Sequence, residues 1–423
     1  MKTICFGIAL ALSCLASRTA TADSPIQPGD RIAIIGNTFA DQLRTHGYLE
    51  TLLLQHHRQE PVSIRNLGWG GDMLSARDRP TNFPSEESTL TAHKTDVIIA
   101  CFGMGESFAG EEGVNDFKQQ LKSLIESHAG KKYNGESEVR LILVSPIAHE
   151  DLGELTPRRD KRNGELHAYM RAMQKVADAN DIPFVDLFQP SQYLMDEATG
   201  PNLTTNGIHL NSYGYWALSH TFFDQLTASD RKPNQAAWRL RVDVAANSAE
   251  AEGVEISELK QSPSGVSFRV KETCVPRLRP PADLSTDSPL QPQIELARDT
   301  LVVKDLSPGR HRLTVDGRTV VEADAEAWSN GVAIDSSPAH KAADQRREAV
   351  NNKNMQFTYS WKALNQVHIV GERKKSPSGK ELPKEVIQFN QLANDLDAVL
   401  GASMQLTTRE WVISRVESEA KDQ

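Results

Sequence analysis

The chain has 423 residues, 39% hydrophobic and 24% charged, a balance that excludes a mainly disordered protein and exceeds what a single domain of ~100–200 residues requires. A net charge of −9 leaves no basic surplus to neutralise phosphates, so nucleic acid is excluded as a main partner. No apolar run reaches the ~20 residues a membrane-spanning helix needs.

The N-terminus has the layout of an export signal. Lys2 provides the positive end, Ile4 to Leu15 the short apolar stretch, and Ala20-Thr21-Ala22 the small residues of a cleavage site. Residues 1–22 are therefore expected to be removed on export to the periplasm or the extracellular space. Ala11-Leu12-Ser13-Cys14 is a poor lipidation box, and ordinary cleavage is the expected outcome. Cleavage also removes Cys5 and Cys14. Cys101, in an apolar run, and Cys274 then remain, too few for a disulfide framework.

From residue 31 onward, short apolar runs alternate with helical stretches. Strands are expected at 31–35, 63–66, 96–102, 140–144 and 184–188, and helices at about 39–57, 112–128, 163–180 and 212–226. This order predicts an α/β domain over 28–230, with a parallel sheet covered by helices on both faces, able to fold alone. From Trp238 the text becomes strand-like and rich in turns. Leu313-Thr314-Val315, Asp316-Gly317 and Arg318-Thr319-Val320-Val321 predict a hairpin, because Asp-Gly suits a primed turn. Residues 236–322 are expected to form a small antiparallel β-domain. A helical C-terminal region, 323–423, follows it, interrupted by a polar loop at 371–383.

In an open parallel sheet, ligands bind beyond the carboxyl ends of the strands. The segments that follow the predicted strands are Gly36-Asn37-Thr38, Gly68-Trp69-Gly70-Gly71-Asp72, Gly103-Met104-Gly105-Glu106, Ser145-Pro146 and, past the fifth, Asn206-Gly207-Ile208-His209. Glycines that admit close backbone approach, small hydroxyls and a histidine thus gather on one edge.

The order and spacing of these blocks resemble the SGNH/GDSL hydrolases over residues ~28–230. The resemblance implies a three-layer, flavodoxin-like SGNH fold and hydrolysis of carboxylic esters. The substrate implied is a small-molecule or polysaccharide ester; no cofactor or metal is implied, and no oligomeric state is specified. It places the nucleophile at Thr38, the catalytic histidine at His209 and its partner at Asn206, with the N–H groups of Thr38, Gly71 and Gly105 as the oxyanion hole. Three positions depart from the family pattern, with Thr38 for serine, Gly105 for asparagine and Asn206 for aspartate. A threonine hydroxyl can attack, but its methyl crowds the path. Asn206 can orient the imidazole but cannot stabilise an imidazolium, a change that costs a serine protease about 10⁴ in rate. Loss of one oxyanion donor costs about 10²–10³. The expectation is an exported ester hydrolase of reduced activity; the alternative is a non-catalytic carbohydrate- or surface-binding protein that retains the pocket.

Several residues also have plainer readings. Thr38 suits a helix N-cap, Glu106 a solvated carboxylate at a helix start, and His149-Glu150 a surface loop. His56-His57 lacks acids at ligand spacing, so no metal site is read there.

Overall fold

The computed structural model describes residues 24–79, 83–156, 158–196, 201–227, 238–273, 275–281, 298–362, 375, 377–402 and 406–416. The export signal and Cys274 lie outside these residues.

Five strands, β1 (Arg31–Gly36), β2 (Ser63–Asn66), β3 (Val97–Cys101), β4 (Arg140–Val144) and β5 (Phe184–Val185), form a parallel sheet in the order β2-β1-β3-β4-β5. Strand side chains alternate between two cores: Ile32, Ile34, Val97 and Ile99 on one face, Ala33, Ile35, Ile98 and Ala100 on the other. Both faces are apolar, so β1, β3 and β4 read as continuous hydrophobic runs, whereas the edge strand β2 carries only Ile64. The first core is closed by α1 (Thr38–His46), α2 (Tyr48–His56) and α7 (Ser212–Thr227), the second by α4 (Val114–His128) and α5 (Arg159–Ala179). This is the α/β SGNH fold, with added β-sheets and C-terminal helices.

The helix expected over 39–57 is two helices. Gly47, at φ +66°, caps α1 and starts α2. Two short helices, α3 (Glu86–His93) and α6 (Phe188–Asp196), were not foreseen. Their apolar content is too low or too brief to show a helical period.

The β-region has two sheets around one core. One is ordered β13-β10-β6-β7, from β6 (Arg239–Asp243), β7 (Ser248–Glu252), β10 (Thr300–Lys304) and β13 (Val332–Ala333). The other is ordered β12-β11-β14-β9-β8, from β8 (Val254–Ser262), β9 (Gly265–Glu272), β11 (Arg310–Val315), β12 (Arg318–Asp324) and β14 (Thr408–Arg415). The Asp316-Gly317 hairpin forms as expected, with positive φ at both turn residues. Two features differ from the expectation. β6 and β10 pair in parallel, so the region is not purely antiparallel. β14, from the segment expected to be helical, lies between β9 and β11, where its Trp411 and Ile413 enter the core. Alternation there is only four or five residues long and is easily hidden at the end of a helical stretch.

The tail also holds α8 (Ala325–Asn330), α9 (Pro338–Trp361) and α10 (Pro377–Ala402), the last beginning inside the expected polar loop. α9 and α10 cover the β2 edge of the parallel sheet. Ala343, Val350 and Leu400 join the first core, while Phe357, Trp361 and Ala393 join the second. Lys353, fully buried on α9, donates to Glu50 Oε1 on α2 at 2.5 Å and to the Ile64 carbonyl of β2 at 2.8 Å. The cation thus occupies an outward-facing carbonyl that would otherwise be open to strand addition.

Glu272, at the end of β9, is buried with Oε1 unpartnered among the described residues, near Asp299, His340 and Arg409. Burial pushes its carboxyl up to about 7, against the pull of His340 and Arg409. The folded pKa lies above the unfolded one, so the folded state holds the extra proton. The contribution of Glu272 to stability is then greatest at acid pH and falls as pH rises through about 4.5 to 7, by on the order of 3 kcal/mol. Glu272→Gln is expected to flatten that slope and raise stability at pH 8, as measured by urea unfolding across pH. A slope unchanged by the substitution would refute the assignment.

Candidate active site

The site lies where β1 and β3 end side by side, the point at which strand order reverses. Gly36 closes β1 at φ +136°, and a Cβ there would lie 2.1 Å from the Cys101 carbonyl oxygen, so only glycine lets the strands stay paired. Asn37 then caps α1, its Oδ1 accepting from Phe39 N at 3.0 Å. The cap is therefore Asn37 and not Thr38. Thr38 becomes the first helical residue, and its hydroxyl faces a cavity of about 160 Å³.

That cavity brings together Thr38, Gly71, Gly105 and His209, with Met104 and Ile147 on its walls and the exposed Phe108 on its rim. Gly71 N–H donates to Thr38 Oγ1 at 3.2 Å. A donor so close to the hydroxyl also reaches an oxygen on the carbon that the hydroxyl would attack. Asn206 lies behind His209, its Nδ2 2.9 Å from His209 Nδ1. Each sequence-predicted site residue is thus in or directly behind one cavity.

The Asn206 amide has a defined orientation. Its Oδ1 accepts from His209 N at 3.0 Å and from Ile208 N at 3.3 Å. A flipped amide would set N–H against both backbone N–H groups. Nδ2 therefore faces His209 Nδ1, which must accept, and the ring proton is on Nε2. In this tautomer His209 presents a donor to the cavity, whereas a general base would present an acceptor. Among the described residues no hydrogen bond joins His209 to Thr38.

Gly105 is in helical conformation, and a Cβ on it would meet Met73 Cγ at 2.7 Å. Met73 thus occupies the space into which an asparagine side chain would extend from this position. Ser145, a second hydroxyl on the cavity wall, accepts from Leu187 N and Phe188 N and donates to the Pro146 carbonyl, so it has no role as a spare nucleophile. Burial pushes the Cys101 thiol up and keeps it protonated.

Two acids that sequence reading set on the surface are buried and hold the site together. Glu106 accepts from Gly103 N and Leu74 N, each at 2.8 Å, which ties the loop after β3 to the one after β2. Burial raises its pKa while these backbone donors lower it. Glu150 accepts from Leu203 N, Thr204 N and Thr204 Oγ1, which anchors the loop that carries Asn206 and His209. His149 is buried beneath that loop. Gly207 crosses over it at φ +89°, and a Cβ there would lie 2.4 Å from His149 Nε2. Their signal in sequence was faint: a polar pair after a strand and a carboxylate beside a glycine loop. Asp72, on the cavity wall, is held by Arg79 through two bonds of 3.0 and 2.7 Å, and Arg79 lies 4.5 Å from the centre of the Trp69 ring.

Among the described residues, a hydroxyl, a histidine and glycine N–H groups converge at the switch point of the α/β domain, an arrangement that resembles the SGNH-type hydrolases. Residues 29–217 match the family model of the GDSL-like lipases and acylhydrolases. Among solved structures, a gut microbial diltiazem-metabolizing enzyme, BT4096, has a TM-score of 0.68 at 17% identity, covering 93% of this chain and 99% of its own. The likeness extends the shared fold through the β-sheets and the tail. Axe2, an acetylxylan esterase from Geobacillus stearothermophilus, has a TM-score of 0.37 at 18% identity, covering 48% of this chain and 96% of its own. LAE5, an alpha/beta hydrolase enzyme from the metagenome of Lake Arreo, Spain, has a TM-score of 0.35 at 17% identity, covering 48% of this chain and 97% of its own. No curated protein sequence matches the chain significantly. Among the described residues no cluster of three or more His, Cys, Asp or Glu could hold a metal ion, and no helix is long and apolar enough to cross a membrane.

Proposed function

We propose that the protein is an exported hydrolase of carboxylic esters with short acyl groups, working at reduced rate. The observation that carries this reading is the convergence of Thr38 Oγ1, Gly71 N–H and His209 on one cavity of about 160 Å³. Drug-sized ligand pockets hold roughly 300–1,000 Å³, so this cavity suits a short acyl group with the rest of the ester outside. Thr38 Oγ1 attacks the acyl carbon, and its proton passes to His209 Nε2. The N–H groups of Thr38, Gly71 and Gly105 hold the oxyanion. The C–O bond then breaks and the alcohol leaves with the proton; water returns Thr38 and the free acid. His209 can accept that proton only after the ring proton has moved to Nδ1, and the Asn206 amide opposes this. That barrier is the reason for the reduced rate. Export rests on Lys2, the Ile4–Leu15 stretch and Ala20-Thr21-Ala22.

The same amide orientation favours a second reading. With His209, Thr38 and Gly71 all offering hydrogens, the cavity can bind an acyl oxygen without cleaving the ester. Turnover of p-nitrophenyl acetate, butyrate and octanoate by wild type and by His209→Ala separates the two. The hydrolase reading expects acetate to be fastest and His209→Ala to lose at least tenfold. Equal rates in both proteins would replace it with the binding reading.

A further inference from the structure

The loop after β3 carries an exposed ring to the mouth of the acyl cavity. Phe108 lies in the single 3₁₀ turn Glu106–Ala109, lines the cavity at its rim and is 64% exposed. A lone exposed apolar side chain is ordinary on a protein surface. This one differs in how it is held and in where it stands.

The turn beneath Phe108 is tied down along its length. Ser107, fully buried, donates from Oγ to the Met104 carbonyl at 2.7 Å. Arg162, in the first turn of α5, donates to the Ser107 carbonyl at 3.1 Å and to Ser107 Oγ at 2.8 Å, and it pairs with Glu165. Tyr169 Oη, further along α5, donates to the Gly110 carbonyl at 3.0 Å. The Arg162 guanidinium also lies over the Phe108 ring, its carbon 4.2 Å from the ring centre. A ring held in this way loses little freedom when a ligand settles on it, which favours binding. The cation covers one face and draws electron density toward itself. The other face is thereby made a better partner for a second π-system.

The cavity wall beside Phe108 is apolar, formed by Phe39, Met104, Ile147 and Ile208. Two polar side chains of that wall are committed, Asp72 to Arg79 and Ser145 to backbone groups. Such a rim has little with which to read hydroxyls and much with which to hold a flat apolar group. The acyl group fills the cavity of about 160 Å³, so the alcohol part of the ester lies across the rim. We propose that Phe108 is the platform on which the alcohol part rests, and that the alcohol it selects is aromatic. The proposal rests on the hydrolase reading for which end of the ester lies inside, but its deciding test is binding and needs no turnover.

The probes are N-benzylacetamide and N-(cyclohexylmethyl)acetamide, amides of similar size whose bond resists cleavage, titrated calorimetrically into the full chain. Benzyl and cyclohexylmethyl acetates then give kcat/KM for the matching esters. The proteins are wild type, Phe108→Leu, Phe108→Tyr and, as a control, Tyr193→Leu, which removes an exposed ring from α6; all are checked for unchanged melting temperature. Wild type is expected to favour the benzyl compound by about three- to tenfold in both measurements, the worth of one aromatic pair. Phe108→Leu should bring both ratios close to one, while Phe108→Tyr and Tyr193→Leu keep them. Ester rates at the His209→Ala level with the amide ratio intact would sink the hydrolase reading and leave the platform standing. The proposal is overturned if N-benzylacetamide does not bind up to its solubility limit, if the two amides bind equally, or if the preference survives Phe108→Leu.

Discussion

Asn206→Asp is expected to raise ester turnover by about 10²–10³-fold. The carboxylate is isosteric with the amide, so one oxygen keeps the bonds from Ile208 N and His209 N that Oδ1 makes now. The other oxygen then meets Nδ1 as an acceptor, which places the ring proton on Nδ1 and frees Nε2 to take the Thr38 proton. The reverse change in a serine protease costs about 10⁴. The gain here is smaller because Asn206 and His209 are both exposed and water competes for the new bond. Initial rates with p-nitrophenyl acetate, referenced to His209→Ala, give the answer. A folded Asn206→Asp protein that stays at the His209→Ala rate would mean that the tautomer is not what limits turnover.

Lys353→Met is expected to destabilise the protein by about 3–5 kcal/mol, because it leaves Glu50 as an unpaired carboxylate in the core. Glu50 is buried, and only Lys353 and Asn354 offset the burial that pushes its pKa up; nearby Asp397 pushes it further. The double variant Glu50→Gln/Lys353→Met should recover much of the loss, since no charge is then buried. Urea unfolding of the three proteins decides this. A single variant as stable as wild type would show that the tail does not hold the α/β domain through this pair. The same reasoning bears on the fragment 28–230, which the sequence marks as self-sufficient. Cut there, Glu50 loses its partner and both cores lose the α9 and α10 side chains, so independent folding of that fragment is not expected.

What could be read in the sequence was local. Four of the five strands fall in apolar runs, β2 (Ser63-Ile64-Arg65-Asn66) being the weaker signal, and the Asp316-Gly317 turn needs no distant partner to declare itself. The chemistry-bearing blocks were legible because each follows directly on a strand end, where the topology brings them together. Glu106 and Glu150 were misread for the opposite reason. Their burial depends on backbone N–H groups at Leu74 and at Leu203 and Thr204, tens of residues away, and a carboxylate carries no mark of such a partner. Met73 is a similar case, since its place beside Gly105 exists only once two loops have met. The helices of the tail could be read as helices, but a helical period shows an apolar face without showing what covers it.

The position of β14 also constrains how the molecule comes into being. It follows the other described strands of its sheet in chain order, yet it lies in the middle of that sheet, hydrogen-bonded on both sides. Until it arrives, β9 and β11 present two facing rows of unpaired backbone groups and an apolar surface. Such a gap is the size and shape of one strand, and any other copy of residues 408–415 can fill it. Chains that lack residues 408–415 therefore become acceptors for the strand of an intact neighbour. This one strand thus controls whether newly made molecules close on themselves or on each other.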